Sequence, residues 1–274
     1  MTDTTHIPDR LFQILRTVEE GGFARFPPTE VFNEGWMLRL VLDAFESLEI
    51  RAHPLSFELG SRWFSEARLE SPFRPRMRAD NLGEGPTNAD AVIAKLGLRS
   101  SMRAGLSLSS DSGQFVVVEA KMFSNLSAGT KNAPNYNQAA RNVACMAEAI
   151  AKSGRTLSEF ASVGFYVLAP CIEIRAGRAS NLEASMKVDA IKMAIRERIA
   201  SYEALSRPEV AELQNWEAQY LLPLVDRLCE GRALSVLSWE DCIESIAATD
   251  AKMGAELASF YKRCLAFAPS LGAT

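Results

Sequence analysis

The stretch Phe115-Val116-Val117-Val118-Glu119-Ala120-Lys121 ends an apolar run with a carboxylate and an ammonium two positions apart. Four apolar residues, three of them β-branched, read as a strand buried on both faces of a sheet. Alternation along a strand sends Glu119 and Lys121 to one face, with Ala120 pointing the other way. Opposite charges at the end of a buried strand carry a desolvation cost unless they are paired or bound to something. A same-face ion pair is the plain account of them, and a chemical site is the other.

A second strand-like stretch, Thr87 to Ile93, enters from a loop containing Gly83, Gly85 and Pro86 and carries Asp90. A polar connection, residues 97–114, leads from it to the Glu119 strand. Consecutive strands joined this way most simply pair antiparallel, which brings Asp90 beside Glu119 at one end of the sheet. The separation is long for a tight hairpin, so the connection must be extended or hold an extra strand. Two converging carboxylates make a hard-oxygen site suited to Mg²⁺ or Mn²⁺. A neighbouring lysine can hold or activate water, or stabilise negative charge developing on a phosphate. Those are the parts that phosphodiester hydrolysis requires.

The elements that must position these groups can be read around them. Pro27-Pro28-Thr29 is expected to start a helix whose apolar positions Val31, Leu38, Val41, Phe45 and Leu48 form one stripe. Glu34 lies on that stripe, either as a carboxylate favoured by the helix N-terminus or as an acid aimed at a site. Before it, Leu11, Ile14, Leu15 and Val18 predict a short packing helix that breaks at Gly21-Gly22. Residues 52–86 could hold edge strands or short helices. They are rich in arginine, with Arg74, Arg76 and Arg78 following Arg62 and Arg68 among Trp63, Phe64 and Phe73. Guanidinium suits phosphate because its planar fork donates two parallel hydrogen bonds, although a solvated face with ordinary ion pairs has the same composition.

After Lys121, a Ser-, Asn- and Gly-rich loop leads to a helix from about Tyr136 to Lys152, with Gln138 and Arg141 in its first turns and Gly154 marking its end. Phe160 to Ala169 is another buried strand, stopped by Pro170. From Asn181 the chain is expected to be mostly helical: roughly 181–205, then 208–230 with an interruption at Pro223. A short strand at Ala233–Leu237 precedes a final helix from a Ser238–Asp241 capping box to about Phe267. The fold class expected is α/β, as one domain over residues 1–274 with a core of about 27–170 and a helical C-terminal extension of about 181–274.

At 274 residues, 47% hydrophobic and 23% charged, the chain has the composition of a globular protein with a sizeable core. No apolar run approaches the roughly 20 residues that span a bilayer. The N-terminus has neither a basic leader nor an apolar core, so the expected address is cytoplasmic. Five scattered cysteines form no CxxC pair, which argues against a disulfide framework or zinc knuckle. Only two histidines, His6 and His53, are present, neither near a nucleophile motif, and this argues against Ser-His-Asp or Cys-His hydrolysis. A net charge of −4 gives no global nucleic-acid signal but leaves room for a local basic face.

Asp90, followed by Glu119-Ala120-Lys121 on a buried strand, resembles the PD-(D/E)XK nuclease superfamily, with its restriction-endonuclease-like fold. That pattern has an acid on an early helix, an Asp near the start of one strand, ExK at the end of the next, and a polar residue early in the following helix. Glu34, Asp90, Glu119, Lys121 and Gln138 match these positions in turn, while Ala89 stands where Pro is common. The resemblance covers roughly residues 30–170. It implies a mixed central sheet flanked by helices, and a Mg²⁺- or Mn²⁺-dependent endonuclease acting on DNA, with a restriction or defence role and a homodimer among the forms the resemblance admits. Asp90, Glu119 and Glu34 would then hold the metal, and Lys121 would position the attacking water. Arg74, Arg76 and Arg78 are the candidates for phosphate contact. The competing expectation is a silent nuclease-like fold that binds nucleic acid or assembles with protein.

Overall fold

The computed structural model describes residues 7–19, 25–98, 105–130, 132–176 and 180–267. Its first helix, α1 (Ile7–Glu19), matches the expected amphipathic segment, although Ile7, Leu11 and Ile14 are exposed and Val18 is buried. The expected Gly21-Gly22 break lies outside the described residues. The Pro27-Pro28-Thr29 start is corrected. Pro28–Glu30 forms only a 3₁₀ turn, and α2 (Glu34–Ser47) begins after Asn33, whose side chain accepts from the Trp36 N–H. An asparagine cap satisfies a free helix N–H, which a proline at 27 or 28 cannot do.

The segment that the sequence left between strand and helix contains an edge strand, β1 (Arg62–Leu69). It pairs antiparallel with β2 (Thr87–Ala94). The long connection that follows folds on itself as a two-stranded ribbon of β3 (Leu96–Leu98) and β4 (Leu106–Leu108). It thereby returns the chain beside β2, and β5 (Gln114–Ala120) pairs antiparallel with it, Ala91 opposite Val118. All seven residues of β5 are buried.

Helix α3 (Gln138–Lys152) is capped by Asn137, and Gly154 follows its end in the left-handed region at φ 69°. Buried Ala139, Ala140, Ala144 and Ala147 give it a face of small side chains against its neighbours. Strand β6 (Ser162–Ala169) runs parallel to β5 and stops at Pro170, where α4 (Cys171–Arg175) starts.

The C-terminal part is α5 (Ser180–Ser185), α6 (Val188–Ala204), α7 (Val210–Trp216), α8 (Leu222–Glu230), β7 (Leu234–Ser238), α9 (Trp239–Thr249) and α10 (Ala251–Phe267). The interruption expected at Pro223 is present just before it, and Pro223 stands in the first turn of α8. A π turn, Glu217–Leu221, joins α7 to α8 and absorbs the hydrogen bond that proline cannot donate. The single final helix is divided at Asp250, whose extended backbone ends α9 and whose carboxylate accepts from the Lys252 and Met253 N–H groups of α10. The short strand expected at Ala233–Leu237 is present as β7, and it runs parallel to β6, so a piece of the C-terminal extension completes the central sheet.

The result is a mixed α/β arrangement: a five-stranded sheet of order β1-β2-β5-β6-β7, antiparallel on one side of β5 and parallel on the other, flanked by helices. Among the described residues, no helix is long and apolar enough to cross a membrane.

Candidate active site

Strand β5 ends at Ala120, and the parallel pairing persists one step further through the Lys121 N–H to the Leu168 carbonyl at 2.9 Å. Lys121 is therefore held in strand-like register and shares a face with Glu119, its Nζ 3.4 Å from Glu119 Oε2. On the neighbouring strand, Asp90 Oδ2 accepts from the Ala120 N–H at 2.8 Å and lies 3.8 Å from Lys121 Nζ. The antiparallel pairing of β2 with β5 thus brings Asp90 and Glu119 to one lysine. Glu34, in the first turn of α2, reaches the same strand end: its Oε2 accepts from the Met122 N–H at 2.8 Å.

Helix α3 closes the site from the other direction. Gln138 Nε2 donates to Glu119 Oε2 at 2.6 Å, and Asn142 Nδ2 donates to Glu119 Oε1 at 2.8 Å. Glu119 is fully buried, and these two amides with Lys121 replace the water it would otherwise have. Asn142 was not singled out from the sequence. Its signal was available, because it lies one helical turn after Gln138 and so on the same face. Trp239 had none. The first residue of α9, it donates through Nε1 to the Lys121 carbonyl at 3.0 Å from 118 positions away.

Electrostatics mark the cluster as charge-crowded. Burial pushes the Glu119 carboxyl well above the usual carboxylate range, the adjacent Asp90 charge adds to it, and Lys121 and Asn142 oppose. Burial also raises Glu34, with Lys121 and the Met122 N–H acting against it and Asp90 with it. Three carboxylates thus face one ammonium, an excess of negative charge that a proton or a cation must relieve.

The donor chemistry, hard oxygens with surplus negative charge, fits a divalent Mg²⁺ or Mn²⁺. The spacing does not yet do so: among the described residues, no group of three or more His, Cys, Asp or Glu side chains is arranged to hold a metal ion. In this arrangement both Glu119 oxygens accept from amides and Glu34 Oε2 accepts from the Met122 N–H.

The arginine segment is partly committed elsewhere. Arg74, Arg76 and Arg78 are all exposed; Arg76 pairs with Glu212 at 2.7 Å, and Arg74 lies beside the Glu148 carboxylate. The segment is tied to the C-terminal helices by Arg207, which grips Asp80 with two bonds of 3.1 Å. His53 is a packing residue: its ring lies 4.7 Å from that of Phe45, and its Nδ1 accepts from the Leu55 N–H.

The chain matches no family model, no curated protein and no solved structure.

Proposed function

We propose that the chain is a metal-dependent nuclease of the PD-(D/E)XK type, with a restriction-endonuclease-like core and DNA as its substrate. The observation that carries this reading is the meeting of Asp90, Glu119 and Lys121 at the end of two antiparallel strands, with Glu34 reaching the same strand end. A structural ion pair accounts for Glu119 and Lys121 but gives no reason for two further acids.

In this reading, Asp90, Glu119 and Glu34 would hold Mg²⁺ or Mn²⁺, which would supply neutralisation of the phosphate and a lowered pKa for water. Lys121 Nζ, sharing a face with Glu119, orients the attacking water and offsets charge growing on the phosphoryl oxygens. Gln138 and Asn142 fix the Glu119 carboxylate so that its oxygens are pre-set rather than reorganised during the reaction. Arg78 and Arg74, both exposed and the latter beside the Glu148 carboxylate, would meet backbone phosphates, and Arg76 would join them by exchanging Glu212 for phosphate.

A second reading is favoured by the sealed Glu119 and the missing metal spacing: a fold of this type that binds nucleic acid without cutting it. Cleavage of single- and double-stranded DNA and RNA with Mg²⁺ or Mn²⁺, beside Lys121→Ala and Asp90→Ala, separates the two. The nuclease reading expects divalent-dependent cleavage that drops by about 10²-fold or more in each variant. Wild type and variants equally inert on every substrate would overturn it. Salt-dependent binding that remained would then support the second reading.

A further inference from the structure

Helix α1 carries a continuous apolar stripe, Ile7, Leu11, Ile14 and Val18, at helical spacing. Exposure along it falls from 76% at Ile7 through 58% and 41% to 5% at Val18. The helix is therefore anchored at its C-terminal end and leaves the body with its apolar face in water. Arg263 is part of the anchor, donating to the Val18 carbonyl at 2.7 Å. A 13-residue helix with an uncovered apolar face is marginal alone, so a covering surface is needed to hold it.

The same molecule presents a surface of the matching kind. Between α2 and α10 lies a groove of about 510 Å³, walled by Leu40, Met253 and Phe260 and floored by Phe32. The floor is rigid: the Phe32 ring lies 5.1 Å from Phe260 and 5.7 Å from Phe267, with Arg263 over it at 3.8 Å. Asp43 and Glu256, both exposed, put two carboxylates on its rim, the second beside Lys252 at 4.0 Å. Arg10, exposed beside the α1 stripe, supplies the opposite sign. Arg263 lines the groove and also holds Val18, so α1 departs from the groove's own margin. The exposure of Ile7, Leu11 and Ile14 means that the groove of the same chain does not receive them.

We infer that the chain forms a two-fold dimer in which α1 of each copy lies in the α2/α10 groove of the other. Each copy gives one arm and one groove, so the exchange is closed, leaves no arm or groove unfilled, and does not propagate into a fibre. The dimer is independent of the nuclease reading, because none of its contacts belongs to the Asp90–Glu119–Lys121 cluster.

Sedimentation equilibrium of the full chain from low to high micromolar concentration tests it. The wild type is expected to be dimeric, and Leu11→Asp with Ile14→Asp to weaken association by at least about tenfold. Arg10→Glu alone, and Asp43→Lys with Glu256→Lys alone, should each weaken it. The three charge exchanges combined should restore it, which a variant that merely failed to fold could not do. A wild type that stays monomeric, a dimer indifferent to the arm substitutions, or charge exchange without recovery would each overturn the inference.

Discussion

Replacing Glu119 by Gln isolates the electrostatic cost of the site. Gln keeps the shape and a carbonyl for the Asn142 donor at 2.8 Å, and it removes the only group at this position that titrates. Because the folded-state pKa of Glu119 is raised by burial and then by Asp90, the folded protein holds a proton that the unfolded chain releases near pH 4.3. The sign follows: this group's contribution to stability is complete below the unfolded pKa and is lost as pH rises towards the folded one. Within that window, wild-type stability falls relative to Glu119→Gln as pH rises, by on the order of 1 kcal/mol per pH unit. Any misfit between the Gln amide and the Gln138 donor shifts the two curves by a constant and leaves the slope alone. Titrating groups outside the cluster are common to both proteins and cancel to first order, so the difference reports Glu119 together with the charges it is coupled to. Urea unfolding at pH 5, 6 and 7, with the free energies extrapolated to water, measures the difference. Parallel curves would refute the claim that Glu119 is held protonated by its surroundings. Millimolar Mg²⁺ adds a second arm, in which a cation taking the proton's place stabilises the wild type and flattens its slope, while Glu119→Gln responds less. No effect of Mg²⁺ on either protein would count against the metal assignment alone.

Three further outcomes are expected. Gly254→Ala places a methyl 2.4 Å from the Ala247 Cβ and 2.6 Å from its Cα, so α9 and α10 must move apart at a cost of about 1–3 kcal/mol, and an unchanged Tm would contradict that contact. Trp239→Phe leaves the Lys121 carbonyl without its Nε1–H donor and should cost about 1–2 kcal/mol in urea unfolding, with any cleavage activity falling at unchanged DNA affinity. At Asp80, burial opposes ionisation, but Arg207 and the N–H groups of Arg76 and Leu82 outweigh it and hold the carboxyl at about 2. The advantage of wild type over Asp80→Asn, about 2 kcal/mol for lost charged hydrogen bonds, should therefore be constant from pH 7 to 4 and fade only on further acidification. An advantage already gone at pH 4 would sink that account.

How much of the site was legible in the sequence depends on how local its causes are. Strand β5 could be read because an unbroken run of β-branched residues is a local signature of a strand buried on both faces. Glu119 and Lys121 on one face followed from alternation alone. The approach of Asp90 required a pairing, which could be inferred because the two strands are consecutive; that the intervening residues must be extended or hold an extra strand was also legible, and that they form the β3–β4 ribbon was not. Gln138 was visible at a helix start, and Asn142 was recoverable from it by helical spacing. The start of α2 was misplaced because Pro27-Pro28 imitates a helix opening, while the cap that decides is Asn33. The division at Asp250 was missed although its signal is local, a carboxylate that caps the Lys252 and Met253 N–H groups, and the interruption at Pro223 was read from the proline without the π turn that precedes it.

Composition and period, then, determined the elements and the chemistry: an α/β chain, a buried strand ending in an acid and a base, and acids upstream that could join them. Tertiary structure alone decided that β7 completes the sheet, that Trp239 holds the Lys121 carbonyl, and that Arg76 is occupied by Glu212 while Arg74 and Arg78 face solvent. It also decided that Glu119 is sealed by two amides. The physical reason is range. Propensity and periodicity act over a few residues, whereas burial, desolvation and the choice of partner depend on what packs from a hundred positions away.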